Sequence, residues 1–173
     1  KQGPWRSLEA GFRGEYWNKA LRSFKDSPAV TEEFLDRFYE NMRVHAEYIM
    51  ACDSPYRYMS NWGVIENHGL FDLALMLPQN EQTRHYAQVA LEHLTAQARM
   101  QIMEDGMHWE QSPMYHNEVF HCFSDVVLLC RRNGMEVPET LLTRLKRMAH
   151  ANRKLVRPNG HELLMGDSDD VDV

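Results

Sequence analysis

Two short stretches carry the residues whose types and spacing could do chemistry. In NWGVIENHGLFDLALML, residues 61–77, an amide and an imidazole, Asn67 and His68, sit between Glu66 and Asp72 in a run that is otherwise apolar. In HWEQSPMYHNEVF, residues 108–120, a phenol and an imidazole, Tyr115 and His116, follow Trp109 and Glu110. Burying an amide or imidazole without partners costs roughly 1–3 kcal/mol, so Asn67 and His68 must be fully hydrogen-bonded or must face a wet cavity. The carboxylates Glu66, Asp72, Glu110 and Asp125 would suit glycoside hydrolysis if two of them faced one cleft about 5–10 Å apart. Zinc chemistry has little support: the nine histidines include no H-E-x-x-H, and His116 and His121, five apart, fall on different helix faces. The acidic GDSDD near the C-terminus lacks the spacing of a calcium loop and reads as a solvated or loop-ordering tract. No metal and no cofactor is expected.

These residues must be positioned by helices, because strand signals are nearly absent. Six helical segments can be read, at about 8–24, 32–52, 61–77, 81–104, 114–133 and 138–156. Thr31, with Glu33 and Phe34, marks the second start, Asn61 caps the third, and Pro78 stops it. Phe34, Phe38 and Met42 form a stripe on the second helix, and Ala87, Leu91, Leu94, Ala98 and Ile102 form one on the fourth. Gly134 ends the fifth helix, and Pro138 opens the sixth near its first position. The third helix is apolar nearly all round, which marks a buried helix. Buried and half-buried helices alternate at a spacing of about 50 residues, which predicts an all-α fold of stacked αα-hairpins in two layers. Three hairpins make only an arc of such a double ring, so the expectation is a single helical domain over 1–173 that forms part of an incomplete (α/α) toroid.

The totals narrow the partners. At 173 residues, with 43% hydrophobic and 25% charged residues, the composition is that of an ordinary globular domain. A net charge of -6 argues against nucleic acid or an anionic membrane as the main partner, while leaving room for a local basic cleft. No run of about 18 apolar residues is present, and KQGPWRSLEAG has no signal-peptide core, so no anchoring or exporting segment is expected within these residues. Cys52, Cys122 and Cys130 are an odd set without C-x-x-C spacing, which reads as buried thiols. Both ends look cut, as expected of a segment of a longer protein.

Three motifs in order, NWGVIENHG, DGMHWEQSPMYH and GDSDD, resemble the α/α-toroid domain of the heparinase II/III-like polysaccharide lyases, a group that includes alginate lyases. The resemblance spans roughly residues 50–170. It implies β-elimination on an uronic-acid-containing polysaccharide, of glycosaminoglycan or alginate type. Asn67 matches the family's carboxylate-binding asparagine, with His68 as its neighbouring histidine; both would neutralise the uronate, as an oxyanion hole stabilises developing charge. Tyr115 matches the catalytic tyrosine, which protonates the leaving oxygen and in some members takes the C5 proton. A phenol, with a reference pKa near 10, needs basic neighbours to act as a base, and Arg57 and His116 are the available ones. Trp62 and Trp109 would stack on sugars, with Glu110, His116 and Arg57 among the substrate-binding residues. The remaining catalytic partner would lie beyond Val173, in the rest of the polypeptide, which includes a C-terminal domain. For the full protein the periplasm or secretion is expected over the cytoplasm. Two other readings stay open: a glycoside hydrolase on a helical toroid, and a non-catalytic helical scaffold for a protein partner.

Overall fold

A computed structural model describes residues 4–170, and among these the fold is all-helical, with two isolated β-bridges as its only extended pairing. The last residues of the acidic terminus, 171–173, lie outside the described part. The helices are α1 (Ser7–Phe24), α2 (Glu32–Ala51), α3 (Asn61–Met76), α4 (Glu81–Gln101), α5 (Pro113–Arg132) and α6 (Glu139–Asn152), with a 3-10 turn at Pro55–Met59. No helix is long and apolar enough to cross a membrane. The chain divides into two compact units, one of Lys1–Pro55 with Ile65–Glu92 and the other of Tyr56–Val64 with His93–Val173.

In the first unit α1 packs on α2. Ser7, Leu8, Ala10, Gly11, Gly14, Glu15 and Asn18 are buried along α1, a stripe of small and polar residues at helical spacing. Such a stripe suits close approach by another backbone. A Cβ built on Gly69 of α3 would lie 2.2 Å from the Gly11 carbonyl oxygen, and one on Gly14 would lie 2.7 Å from the Gly69 carbonyl oxygen. The two helices therefore cross with backbone against backbone. On α2, Thr31 accepts from the Phe34 N–H at 3.2 Å, as its position in the sequence predicts. The buried face of α2 is Met42, His45, Ala46 and Ile49; Phe34, expected on the core stripe, is instead exposed beside Phe38.

In the second unit α5 packs on α6. Ser112 caps α5 and Pro113 opens it, where the missing N–H costs nothing. Cys122 and Cys130 are buried thiols on this helix, while Cys52 is half-buried. Two helix ends differ from the sequence expectation. Helix α4 stops at Gln101 rather than near Glu104, because the chain turns back at Gly106 and pairs Met103 N–H with the Met107 carbonyl at 2.9 Å. Helix α6 starts one residue after Pro138 and ends at Asn152; a second short turn then brings Arg157 N–H to the His161 carbonyl at 2.8 Å.

Gly69→Ala is expected to lower stability by about 2–3 kcal/mol, because neither backbone at the crossing is a flexible side-chain end that can swing aside. That corresponds to a melting temperature lower by about 4–12 °C. Calorimetry with an unshifted midpoint would show that the crossing has slack.

Candidate functional site

The residues singled out in the sequence divide between the two units. Asn67 and His68 belong to the first; Arg57, Trp62, Trp109, Glu110, Tyr115 and His116 belong to the second.

In the first unit the polar groups of α3 are buried and partnered. The His68 ring is 1% exposed, with Nδ1 3.6 Å from Glu15 Oε2 and Nε2 3.4 Å from Asp72 Oδ2. Glu15 also meets Lys19 Nζ at 2.5 Å, and Asn18 Nδ2 donates to Asp72 Oδ1 at 3.0 Å. Residues on two turns of α1 thus reach the ring and the carboxylate one turn along α3. Charges removed from water need this kind of mutual pairing. Asn67 keeps a small exposed edge, 7% of its surface. His68 is therefore a group inside a network that joins α1 to α3.

The second unit holds the loop before α5 with a set of side-chain hydrogen bonds. Gln101, fully buried at the end of α4, donates through Nε2 to the carbonyls of Tyr58 at 2.6 Å and Ser60 at 3.1 Å. Its Oε1 is 2.8 Å from His108 Nε2, and its backbone carbonyl accepts from Trp109 N–H at 2.9 Å. Since the Gln101 oxygen accepts, His108 carries its proton on Nε2, which leaves Nδ1 to accept from Glu110 N–H at 3.4 Å. His116 Nδ1 in turn accepts from His108 N–H at 3.2 Å. Two residues on, the Glu110 carboxylate caps α3 from 49 positions away, accepting from Asn61 N–H at 2.8 Å and from Asn61 Nδ2 at 2.7 Å. Asn61, expected as the cap, is thus the first residue of the helix and the donor. The Arg57 carbonyl is pressed against α3 at Gly63, where a Cβ would lie 1.9 Å from it.

Tyr115 stands in the first turn of α5, half-buried, on this pinned segment. Its N–H donates to Ser112 Oγ at 3.4 Å; among the described residues its hydroxyl makes no hydrogen bond. Ser168, from the acidic terminal tract, bonds Ser112 Oγ at 2.9 Å and accepts from Met114 N–H at 3.0 Å. The tract therefore orders the start of α5. Trp62 is 41% exposed. Trp109 is half-buried, and its Nε1 is buried without a hydrogen-bond partner among the described residues. His116 reaches no solvent. A separate cavity of about 300 Å³ in the first unit, lined by Asp36, Tyr39, Glu40, Arg43 and Tyr86 among others, includes none of the sequence-predicted residues.

A model of the heparinase II/III N-terminus matches residues 1–173. The chain belongs to the heparinase II/III N-terminal family. The heparin-sulfate lyase of Pedobacter heparinus is 24% identical over 166 residues, an overlap covering 95% of this chain and 25% of that enzyme. The heparin-sulfate lyase of Bacteroides thetaiotaomicron is 24% identical over 157 residues, 90% of this chain and 22% of that enzyme. A crystal structure of heparinase III superimposes with a TM-score of 0.81 at 24% identity, over 97% of this chain and 25% of that one. A heparan sulfate lyase from Pedobacter heparinus gives 0.71 at 22% identity, over 97% and 26%. The all-α fold is thus that of the heparinase III structures, and the chain spans about a quarter of the length of the relatives it matches.

Within this heparinase-type segment, sequence reasoning missed Gln101, His108, Ser112 and Ser168. Ser112 before Pro113 is a cap signature that local reading can find. The other three act across 40 residues or more, or through a turn without periodicity.

Burial and the neighbouring His116 hold the His108 ring well below the usual imidazole range, at about 4, and burial lowers His116 too. The sign follows from which state takes the proton. Above the ordinary value near 6.5 both states are neutral; between about 6.5 and 4 the unfolded chain binds a proton that the folded one excludes, so stability falls as pH falls across that window. The loss from His108 is on the order of 3 kcal/mol and levels off below about pH 4. An NMR titration of the His108 ring should show neutral imidazole down to about pH 4; a midpoint near 6.5 would show that the network opens readily.

Proposed function

We propose that this chain is the N-terminal part of a longer polysaccharide lyase that cleaves an uronic-acid-containing polysaccharide, of glycosaminoglycan or alginate type, by β-elimination. The carrying observation is Tyr115: a half-buried phenol with no hydrogen-bond partner among the described residues, on a segment fixed by Gln101, Glu110, Ser112 and Ser168. Membership of the heparinase II/III N-terminal family, with heparin-sulfate lyases among the relatives, supports the same reaction class.

In this reading the carboxylate of the uronate is neutralised by hydrogen bonds, with Asn67 as a donor, so that the anion formed when C5 loses its proton is stabilised. Tyr115 protonates the departing glycosidic oxygen, and a second catalytic group comes from the rest of the polypeptide. The remaining candidates divide by burial. Trp62 is exposed and Arg57 sits on the adjoining 3-10 turn, so both are kept as substrate contacts. His68 acts through the turn of α3 that carries Asn67, and His116, Glu110 and Trp109 act by holding the loop. The hydrolase reading loses support, because Glu110 is occupied by two N–H groups of Asn61 and Glu66 and Asp72 are buried.

Tyr115→Phe in the full-length protein is expected to lower kcat by at least a hundredfold while leaving polysaccharide binding within about threefold, and Asn67→Ala to lower kcat/KM comparably. The readout is ultraviolet absorbance of the C4–C5 double bond over a panel of uronate polysaccharides. Full turnover by the phenylalanine variant would remove Tyr115 from the mechanism.

A further inference from the structure

Helix α6 carries a local charge excess that the lyase reading does not use. Residues 139–154 hold Arg144, Lys146, Arg147, Arg153 and Lys154 against the single acid Glu139, in a chain of net charge -6. Thr140, Thr143, Arg144 and Arg147 recur at positions i, i+3, i+4 and i+7, which places them on one face. With Arg99 of α4 and Glu139 they line an open groove of about 360 Å³ in the second unit, and no residue of the candidate site is among them.

The groove's cations are only lightly engaged. Arg144 Nη1 lies 3.3 Å from Glu104 Oε1 and Arg147 Nη1 lies 2.7 Å from Glu104 Oε2, so two guanidiniums share one carboxylate that is 83% exposed. An exposed pair of this kind contributes little and is readily exchanged. Arg99 has no hydrogen-bond or ion-pair partner among the described residues. Helix α6 begins at this groove without a side-chain cap, so its first-turn N–H groups add positive partial charge where Glu139 and Thr140 lie. Planar guanidinium forks and threonine hydroxyls together match the oxygens of a sulfate or carboxylate group.

We propose that this groove is an anion subsite that holds a sulfate or carboxylate group of an acidic polysaccharide, with Arg99, Arg144 and Arg147 supplying charge and Thr140 and Thr143 hydroxyl donors. Glu104 occupies the arginines until the ligand's anion replaces it. The assignment rests on the polysaccharide reading for its ligand class, and it adds a contact outside the residues assigned to elimination. A groove of this size takes one substituted sugar and its anionic group, and the acidic balance of the chain disfavours a nucleic acid.

The test is calorimetric binding to the full-length protein of a size-defined heparan sulfate oligosaccharide, the same oligosaccharide after desulfation, and inorganic sulfate. Arg99→Ala with Arg147→Ala, checked by circular dichroism, is expected to weaken the sulfated oligosaccharide about tenfold and to flatten its salt dependence. Glu104→Gln is expected to tighten it several-fold, since the competing carboxylate is gone; a salt bridge serving only stability would not give that gain. Unchanged affinity in the double variant, or weaker binding in Glu104→Gln, would overturn the subsite. Equal dependence of inorganic sulfate on the two arginines, with no loss for the oligosaccharide, would overturn the polysaccharide assignment. Arginine-dependent binding by a protein that yields no unsaturated product would uphold the groove and overturn the lyase reading instead.

Discussion

The side-chain amide of Gln101 is the constraint on which the second unit's candidate site depends. It is fully buried, and a buried amide is stable only when its donors and acceptor are used. Its two donated bonds fix the carbonyls of Tyr58 and Ser60, and its oxygen fixes the His108 ring. From there the order is forced: the His108 ring receives Glu110 N–H, Glu110 reaches Asn61, and the chain enters α5 at Ser112 with Tyr115 one turn on. Hydrogen bonds in a region of low dielectric reinforce one another, so the segment that carries the phenol is held as a unit.

The first unit solves a different problem. An apolar helix such as α3 can carry buried polar groups only if another element brings partners to them. Helix α1 does so because Gly11 and Gly14 let its backbone approach that of Gly69, which places Glu15 and Asn18 within reach of His68 and Asp72. The small residues and the polar residues of α1 are thus one device. This also explains why a run as apolar as 61–77 tolerates a histidine and an aspartate at its centre: they join two helices, and the asparagine beside them keeps an accessible edge.

What was legible in the sequence follows from how local each signal is. Thr31 announces a helix start through its own turn, and the apolar periodicity of 61–77 announces burial, so the helices were readable to within a few residues. The ends that shifted are those where a long-range contact competes with propensity, as at Gln101, where the turn through Gly106 draws the chain back. Asn61 illustrates the limit best. Its type and position predict a cap, yet the acceptor is Glu110, 49 residues away, and no pattern in either stretch announces that pair. The motifs identify Tyr115 and Asn67 as residues of interest; their resemblance to a family carries that information, because neither residue type nor helical spacing distinguishes a reacting phenol from a packing one.

The fate of the carboxylates bears on which chemistry the site suits. A polyanionic substrate is repelled by free carboxylates and attracted where acids are already satisfied by N–H groups or cations. Here Glu110 is taken by the N-terminus of α3, Asp72 accepts from Asn18 and faces His68, and Glu15 is engaged by Lys19 and His68. In the first turn of α5 the half-buried Tyr115 hydroxyl makes no hydrogen bond among the described residues. Chemistry that used Glu110 or Asp72 as a free acid would first have to break the interactions that consume each of them.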